Sequence, residues 1–189
     1  MFDGHRGTEA ARFAARELSS VVSRNMKHTD DPKQLLRQAF LDLHTAMKGD
    51  AIVSGTTALV GLVMQDALYI ANAGDSRAVL SVRGVAKRLT TDHRPDCPSE
   101  IARITKLGGE ITNVVTREGK VVARVKGQLA VSRALGDFDM EPYVTAEPEV
   151  VKVELEEEDA HSSFVILACD GVWEVVRKIP HPKDIFKKQ

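Results

Sequence analysis

The sequence predicts an α+β domain in which helices and antiparallel strands are segregated. Two amphipathic helical repeats open the chain. A series of short β-branched segments separated by turn residues follows. Only one further helical pattern interrupts that series. A parallel sheet would need helices and strands to alternate, and this order does not supply that.

The first repeat runs over residues 8–26, where Phe13, Ala14, Leu18, Val21 and Val22 share one face. The second runs over residues 32–47, with Leu35, Leu36, Ala39, Phe40, Leu43 and Met47 at helical spacing. Pro32 suits a first helical position, with Asp31 before it as the cap. The two helices are expected to pack on one face of an antiparallel sheet, with Phe13, Leu18, Leu36, Phe40 and Leu43 inside. Beyond Gly49 the period changes. Residues 56–64, 67–72, 77–82 and 85–89 read as strands, joined by tight turns at Gln65-Asp66, Gly74-Asp75 and Arg83-Gly84. Residues 100–107 form a short helix opened by Pro98-Ser99 and closed by Gly108-Gly109. Residues 110–116, 121–125, 150–155 and 164–168 read as further strands. The acidic run at residues 156–159 is a solvated turn. Residues 178–189 hold two prolines and four lysines and are expected to fray.

A chain of 189 residues with 43% hydrophobic and 28% charged residues has the composition of one globular domain with a real core. Lys plus Arg number 26 against 27 Asp plus Glu, a net charge of −1. That balance argues against a dedicated nucleic-acid surface or a polybasic membrane surface. No apolar run approaches the ~18 residues of a membrane helix, and no secretory h-region is visible. Two cysteines, Cys97 and Cys169, exclude a disulfide framework and a Cys-rich zinc site. A reducing intracellular compartment, cytoplasm or nucleus, is the simplest setting. Phosphate-binding glycine loops and the serine-hydrolase elbow are absent.

Four acids stand beside glycine: Asp3-Gly4, Gly74-Asp75, Gly136-Asp137 and Asp170-Gly171. Each alone is an ordinary turn. Two have a less ordinary setting. Asp170 follows the apolar run at residues 164–169 and is expected at the end of a buried strand. Asp3 precedes the first helix, with His5 two residues on. Carboxylates at strand ends, beside glycines that allow carbonyl approach, suit a hard cation such as Mg²⁺ or Mn²⁺.

Seven strings extend this reading. They are Phe2-Asp3-Gly4-His5, Ser54-Gly55-Thr56-Thr57-Ala58, Asn72-Ala73-Gly74-Asp75-Ser76-Arg77-Ala78, Thr91-Asp92-His93-Arg94-Pro95, Leu129-Ala130-Val131-Ser132-Arg133-Ala134-Leu135-Gly136-Asp137, Ala146-Glu147-Pro148-Glu149 and Ala168-Cys169-Asp170-Gly171-Val172-Trp173. Occurring in this order from residue 2 to about residue 176, they closely resemble the protein phosphatase 2C family of metal-dependent serine/threonine phosphatases. The resemblance implies a sandwich of two antiparallel sheets flanked by helices, in α-β-β-α layers. It also implies a site for two cations, Mg²⁺ or Mn²⁺, that activate water for attack on phosphorus. Asp3 matches the carboxylate that bridges both metals, Gly4 the residue whose carbonyl helps hold one, and Asp170 a carboxylate on the other. His5 matches the general acid that protonates the departing oxygen. Asp75 and Glu174 match positions of a weaker third metal, with Glu174 standing where the family usually has Asp. Ser132, Arg133 and Asp137 resemble a flap near the substrate groove, with Arg133 read as an ion-pair partner. Trp173 reads as core packing and His93 as structural. The implied partner is a phosphoprotein substrate, with neither nucleic acid nor membrane.

The resemblance also has departures. The family's phosphate-binding Arg and a Glu that holds a metal-bound water stand ahead of the Asp-Gly-His string, and this sequence carries neither. After Val176 the sequence Arg177-Lys178-Ile179-Pro180-His181-Pro182 does not match, and a late Asp-Asn pair does not follow. Arg6 replaces a glycine and is expected at the surface. The chain is therefore expected to be a partial domain over residues 1–177, lacking terminal strands, followed by a divergent tail. Weak or absent turnover is expected, and the rival reading is a catalytically dead fragment that binds a phosphoprotein or partner.

Overall fold

A computed structural model describes residues 1–64, 67–155 and 163–175. The expected turns at Gln65-Asp66 and residues 156–159, and the expected tail at 178–189, lie outside the described residues.

Two helices open the fold after a short strand, β1 (Phe2–His5). Helix α1 spans Glu9–Asn25 and α2 spans Pro32–Gly49. The Asp31 side chain accepts a 2.9 Å hydrogen bond from the Lys33 N–H, which satisfies one orphan donor of the first turn of α2. Asp31→Ala should lower stability by about 1 kcal/mol in urea unfolding. An unchanged midpoint would show the cap to be idle.

Strands β2 (Gly55–Met64), β3 (Ala67–Ala73), β4 (Arg77–Val82) and β5 (Val85–Arg88) follow as antiparallel neighbours, then helix α3 (Pro98–Lys106). The β4–β5 turn places Arg83 at φ 50° and Gly84 at φ 79°. Paired positive φ values are what a two-residue hairpin needs to match strand twist. The hairpin β6 (Ile111–Val115) and β7 (Val121–Val125) forms its own two-stranded sheet. It packs with α3 through Ile104, Val125, Leu129, Met140 and Val144, so it is a side lobe and not part of the main meander. Strands β8 (Leu135–Gly136), β9 (Glu149–Glu154) and β10 (Ser163–Ala168) and the one-turn helix α4 (Asp170–Trp173) complete the described elements.

The larger sheet has the order β1-β2-β3-β9, with β8 also paired to β2; the smaller has the order β10-β4-β5. Helices α1 and α2 cover one face of the larger sheet. Phe13, Leu36, Phe40 and Leu43 are buried there against Ala58, Val60 and Tyr69, and Leu18 packs half-buried at the margin. Between the two sheets lie Leu59, Leu68, Ile70, Ala78, Leu80 and Leu89. Each fully buried side chain of this kind contributes roughly 1.5–3 kcal/mol.

One expectation is corrected. The apolar run at residues 164–169 does not make a buried strand: Phe164, Val165 and Ile166 are exposed, and within β10 only Ala168 is buried. Among the described residues β10 pairs with β4 alone. A continuous apolar run is buried on both faces only where layers cover both. Leu167 reaches the core between the sheets, while Trp173 covers the outer face only near Ala168 and Val79.

Candidate metal centre

Two elements far apart in the chain meet at one edge of the sandwich. Strand β1 pairs antiparallel with β2, in the register Asp3 to Thr57 and His5 to Gly55. This alternation sends Asp3 and His5 to the same face. In the smaller sheet, β10 delivers Cys169 and then Asp170, the first residue of α4. The ligand atoms of Asp3, Cys169 and Asp170 all lie within 4.8 Å of one another. Cys169 was not singled out by the sequence reading, although its place next to Asp170 is the signal for it.

The electrostatics of this group are those of carboxylates held together against repulsion. Burial pushes the Asp3 carboxyl up, and the charge and hydrogen bond of Asp170 push it further. Asp75, in the turn after β3, is raised to about 6, first by burial, then by the charges of Asp170 and Asp92. Gly74 supplies that turn at φ 123°, where a Cβ would meet the Thr57 side chain at 2.6 Å. Gly4, between Asp3 and His5 on β1, lies 3.0 Å below the Gly7 carbonyl as measured from the place a Cβ would take, so β1 and the start of α1 pack tightly there. Glu174 is elsewhere engaged: Lys120 Nζ donates to its Oε1 at 3.1 Å, with both side chains about half-exposed. Among the described residues the structure thus draws Asp3, Asp170 and Asp75 into one field, and Glu174 is not in the metal-competent group.

His5 approaches Asp137, with Nε2 2.6 Å from Oδ2, and the Asp137 side chain is fully buried. Arg6 is exposed, as expected of it, and it is engaged there: its guanidinium donates to both oxygens of Asp139 at 2.8 Å and to Asp137 at 3.4 Å. The reason is the turn after β1, which aims the side chain across to residues 137–139. A Cβ on Gly55 would stand 2.0 Å from Asp137 Oδ2 and 2.3 Å from His5 Nε2. Gly55→Ala should therefore part His5 from Asp137 and cost about 1–3 kcal/mol of stability as an overpacked site. Thermal unfolding and the His5 ring resonances check this; unchanged resonances would show that the site has room.

Three supporting residues fall as the sequence reading placed them. Arg133 ion-pairs with Glu100 at 2.7 Å. Trp173 is 7% exposed and donates its indole N–H to the Ala168 carbonyl. His93 is buried and accepts from the Gly74 N–H. A separate cleft of about 430 Å³ lies between Arg37, His93, Arg133, Glu147 and Glu149, and it includes none of the acids of the metal-competent group. Among the described residues no helix is long and apolar enough to cross a membrane.

Comparison with known proteins adds the following. The family model "Protein phosphatase 2C" matches residues 1–179. "Protein phosphatase 2C homolog 2" of Hypocrea jecorina is 39% identical over 92% of this chain and 40% of its own length. "Probable protein phosphatase 2C 17" of Arabidopsis thaliana is 35% identical over 100% of this chain and 69% of its own. A solved structure described as that of a C. elegans sex determining protein superposes with a TM-score of 0.80 at 28% identity, covering 98% of this chain and 45% of that one. The chain thus spans less than half the length of several of the proteins it matches.

Proposed function

The chain belongs to the protein phosphatase 2C family, and we propose that it serves the hydrolysis of phosphoserine and phosphothreonine in proteins with Mg²⁺ or Mn²⁺. The observation that carries this is the meeting of Asp3 and Asp170, from opposite ends of the described chain, with ligand atoms within 4.8 Å. Like charges so placed repel: the carboxyls of Asp3 and Asp75 are raised first by burial and then by the charge of Asp170. A divalent cation removes that repulsion. The carboxylate donors suit hard, oxygen-preferring cations. Asp3 and Asp170 would hold them with the carbonyl of Gly4; Asp75 would add charge or a further, weaker site, and Glu174 would reach it only by leaving Lys120. When bound, the cations supply activation of water and neutralisation of phosphoryl charge.

The chain's own groups do the rest. A serine or threonine oxygen is a poor leaving group unless it is protonated as the P–O bond breaks, and a positioned histidine is suited to donate that proton. His5 stands on the same strand face as Asp3, two residues away, so it flanks the place where phosphorus would sit. Asp3 and Asp170 exclude a second anion from the site until cations neutralise them, which makes phosphate binding conditional on metal. Both cysteines are free, in keeping with an intracellular setting, cytoplasmic or nuclear.

The test is Mn²⁺ binding by calorimetry together with turnover of a phosphothreonine peptide. Asp170→Asn should weaken Mn²⁺ binding and lower Mn²⁺-dependent turnover on the order of 10²-fold or more. Mn²⁺ binding that is indifferent to the substitution would overturn the assignment. Binding of cation and phosphopeptide without turnover would favour a binding module instead.

A further inference from the structure

His5 has a partner that the sequence motifs do not give it. Its Nε2 lies 2.6 Å from Oδ2 of Asp137, whose side chain is wholly buried while the imidazole is 24% exposed. A contact that short needs a hydrogen between the two atoms, and an ionised carboxylate offers only acceptors. With Asp137 accepting, Nε2 carries the hydrogen. Fixing one ring nitrogen decides the role of the other, because the tautomer follows the hydrogen bond.

The carboxylate is itself held. Asp137 takes a left-handed backbone, φ 52°, and Arg6 across from it takes φ 58°. Left-handed backbone costs a non-glycine residue roughly 1–2 kcal/mol and persists where surrounding contacts fix it. Those contacts are present. Arg6 grips Asp139 through two 2.8 Å bonds and reaches Asp137 Oδ1 at 3.4 Å. The turn after β1 is thereby tied to residues 137–139, and the absence of a side chain at Gly55 leaves room for the join.

We propose that Asp137 is the positioning residue for His5, and that Arg6, through its grip on Asp137 and Asp139, keeps it in place. In this arrangement Nε2–H stays on the buried carboxylate and Nδ1 is the proton-donating atom. As the P–O bond breaks, the Nδ1–H bond breaks and its proton passes to the serine or threonine oxygen; the ring is left neutral with Nε2–H still on Asp137. The inference rests on the reading of His5 as the proton donor.

The experiment has two arms. In the first, the full chain is labelled with ¹⁵N-histidine, and His5→Ala identifies the His5 signals. The neutral ring should show Nε2 protonated and Nδ1 bare, with an exchange-protected, downfield Nε2 proton. Asp137→Asn, which keeps the shape and tolerates a left-handed backbone, should remove that downfield signal, and Arg6→Ala should weaken it. An Nδ1-protonated ring, or identical spectra in the wild type and Asp137→Asn, overturns the proposal; this arm needs no turnover. In the second arm, a phosphoserine peptide is compared with p-nitrophenyl phosphate, whose leaving group needs no proton. Asp137→Asn and His5→Ala should each lower kcat for the peptide on the order of 10²-fold, with KM little changed and the aryl ester spared. If His5→Ala leaves peptide turnover intact, the reading of His5 fails. If His5→Ala slows it and Asp137→Asn does not, the reading stands and the role of Asp137 fails.

Discussion

Glu100→Ala should destabilise the protein by about 3–5 kcal/mol, because it leaves two arginines facing an emptied, buried position. Glu100 lies in the first turn of α3 and is 1% exposed. Arg103 donates to its Oε2 at 2.8 and 3.2 Å, and Arg133 donates to its Oε1 at 2.7 and 3.2 Å. The same arginines reach the carbonyls of Ser132 and Glu147, so the carboxylate fastens α3 to the segment that leads into β8 and Asp137. Burial by itself would raise the Glu100 carboxyl. Hydrogen bonds from Arg133 and Arg103 and their charges outweigh burial and bring it to about 2. A folded value below the usual 4.5 means that the stabilisation is complete above that value and is lost as pH falls towards about 2. Urea unfolding at neutral pH should therefore show the full deficit of the variant, and the gap to wild type should narrow as pH falls from about 4.5 towards 2. A deficit that is small at neutral pH, or equal in acid, would mean that the carboxylate is not bearing the two arginines.

Asp75→Asn should stabilise the cation-free protein at neutral pH by up to about 3 kcal/mol, since each unit of pKa shift corresponds to about 1.4 kcal/mol. The native carboxyl is raised from 3.8 to about 6 by burial and by Asp170 and Asp92. A raised acid favours its protonated form in the fold. The stability it contributes is therefore present in full below about 3.8 and lost as pH rises through about 6. Asparagine has no such loss. With EDTA present, wild type and variant should be nearly alike near pH 3.5 and should separate as pH rises through about 6, the variant being the more stable. Saturating Mn²⁺ should close or reverse the gap, because a ligand that binds the native state stabilises it and the variant has given up a charge that favours the cation. A variant less stable than wild type in EDTA at neutral pH would contradict the acidic-cluster account.

The helices were legible because α1 and α2 each bury one face, and a 3.6-residue period is a property of a single segment read alone. The β4–β5 turn was legible because Arg83-Gly84 marks a two-residue turn between apolar strands. The strings around Asp3 and Asp170 pointed to a shared site through their resemblance to a family, not through any local signal of proximity. What tertiary structure alone decided concerns pairs. Strands β1 and β8 are four and two residues long, too short to show a period, and exist because β2 offers both of them partners. The run at residues 164–168 has the composition of a buried strand, yet its exposure depends on which layers lie beside it. Glu174 kept the charge of a metal-site residue and was drawn to Lys120 on the side hairpin. Asp137 looked like a turn residue of a flap and stands beneath His5. Local pattern reports how one segment divides its own faces between core and water. Which residues from distant segments meet, and with which charges, is set by the packing of the whole chain.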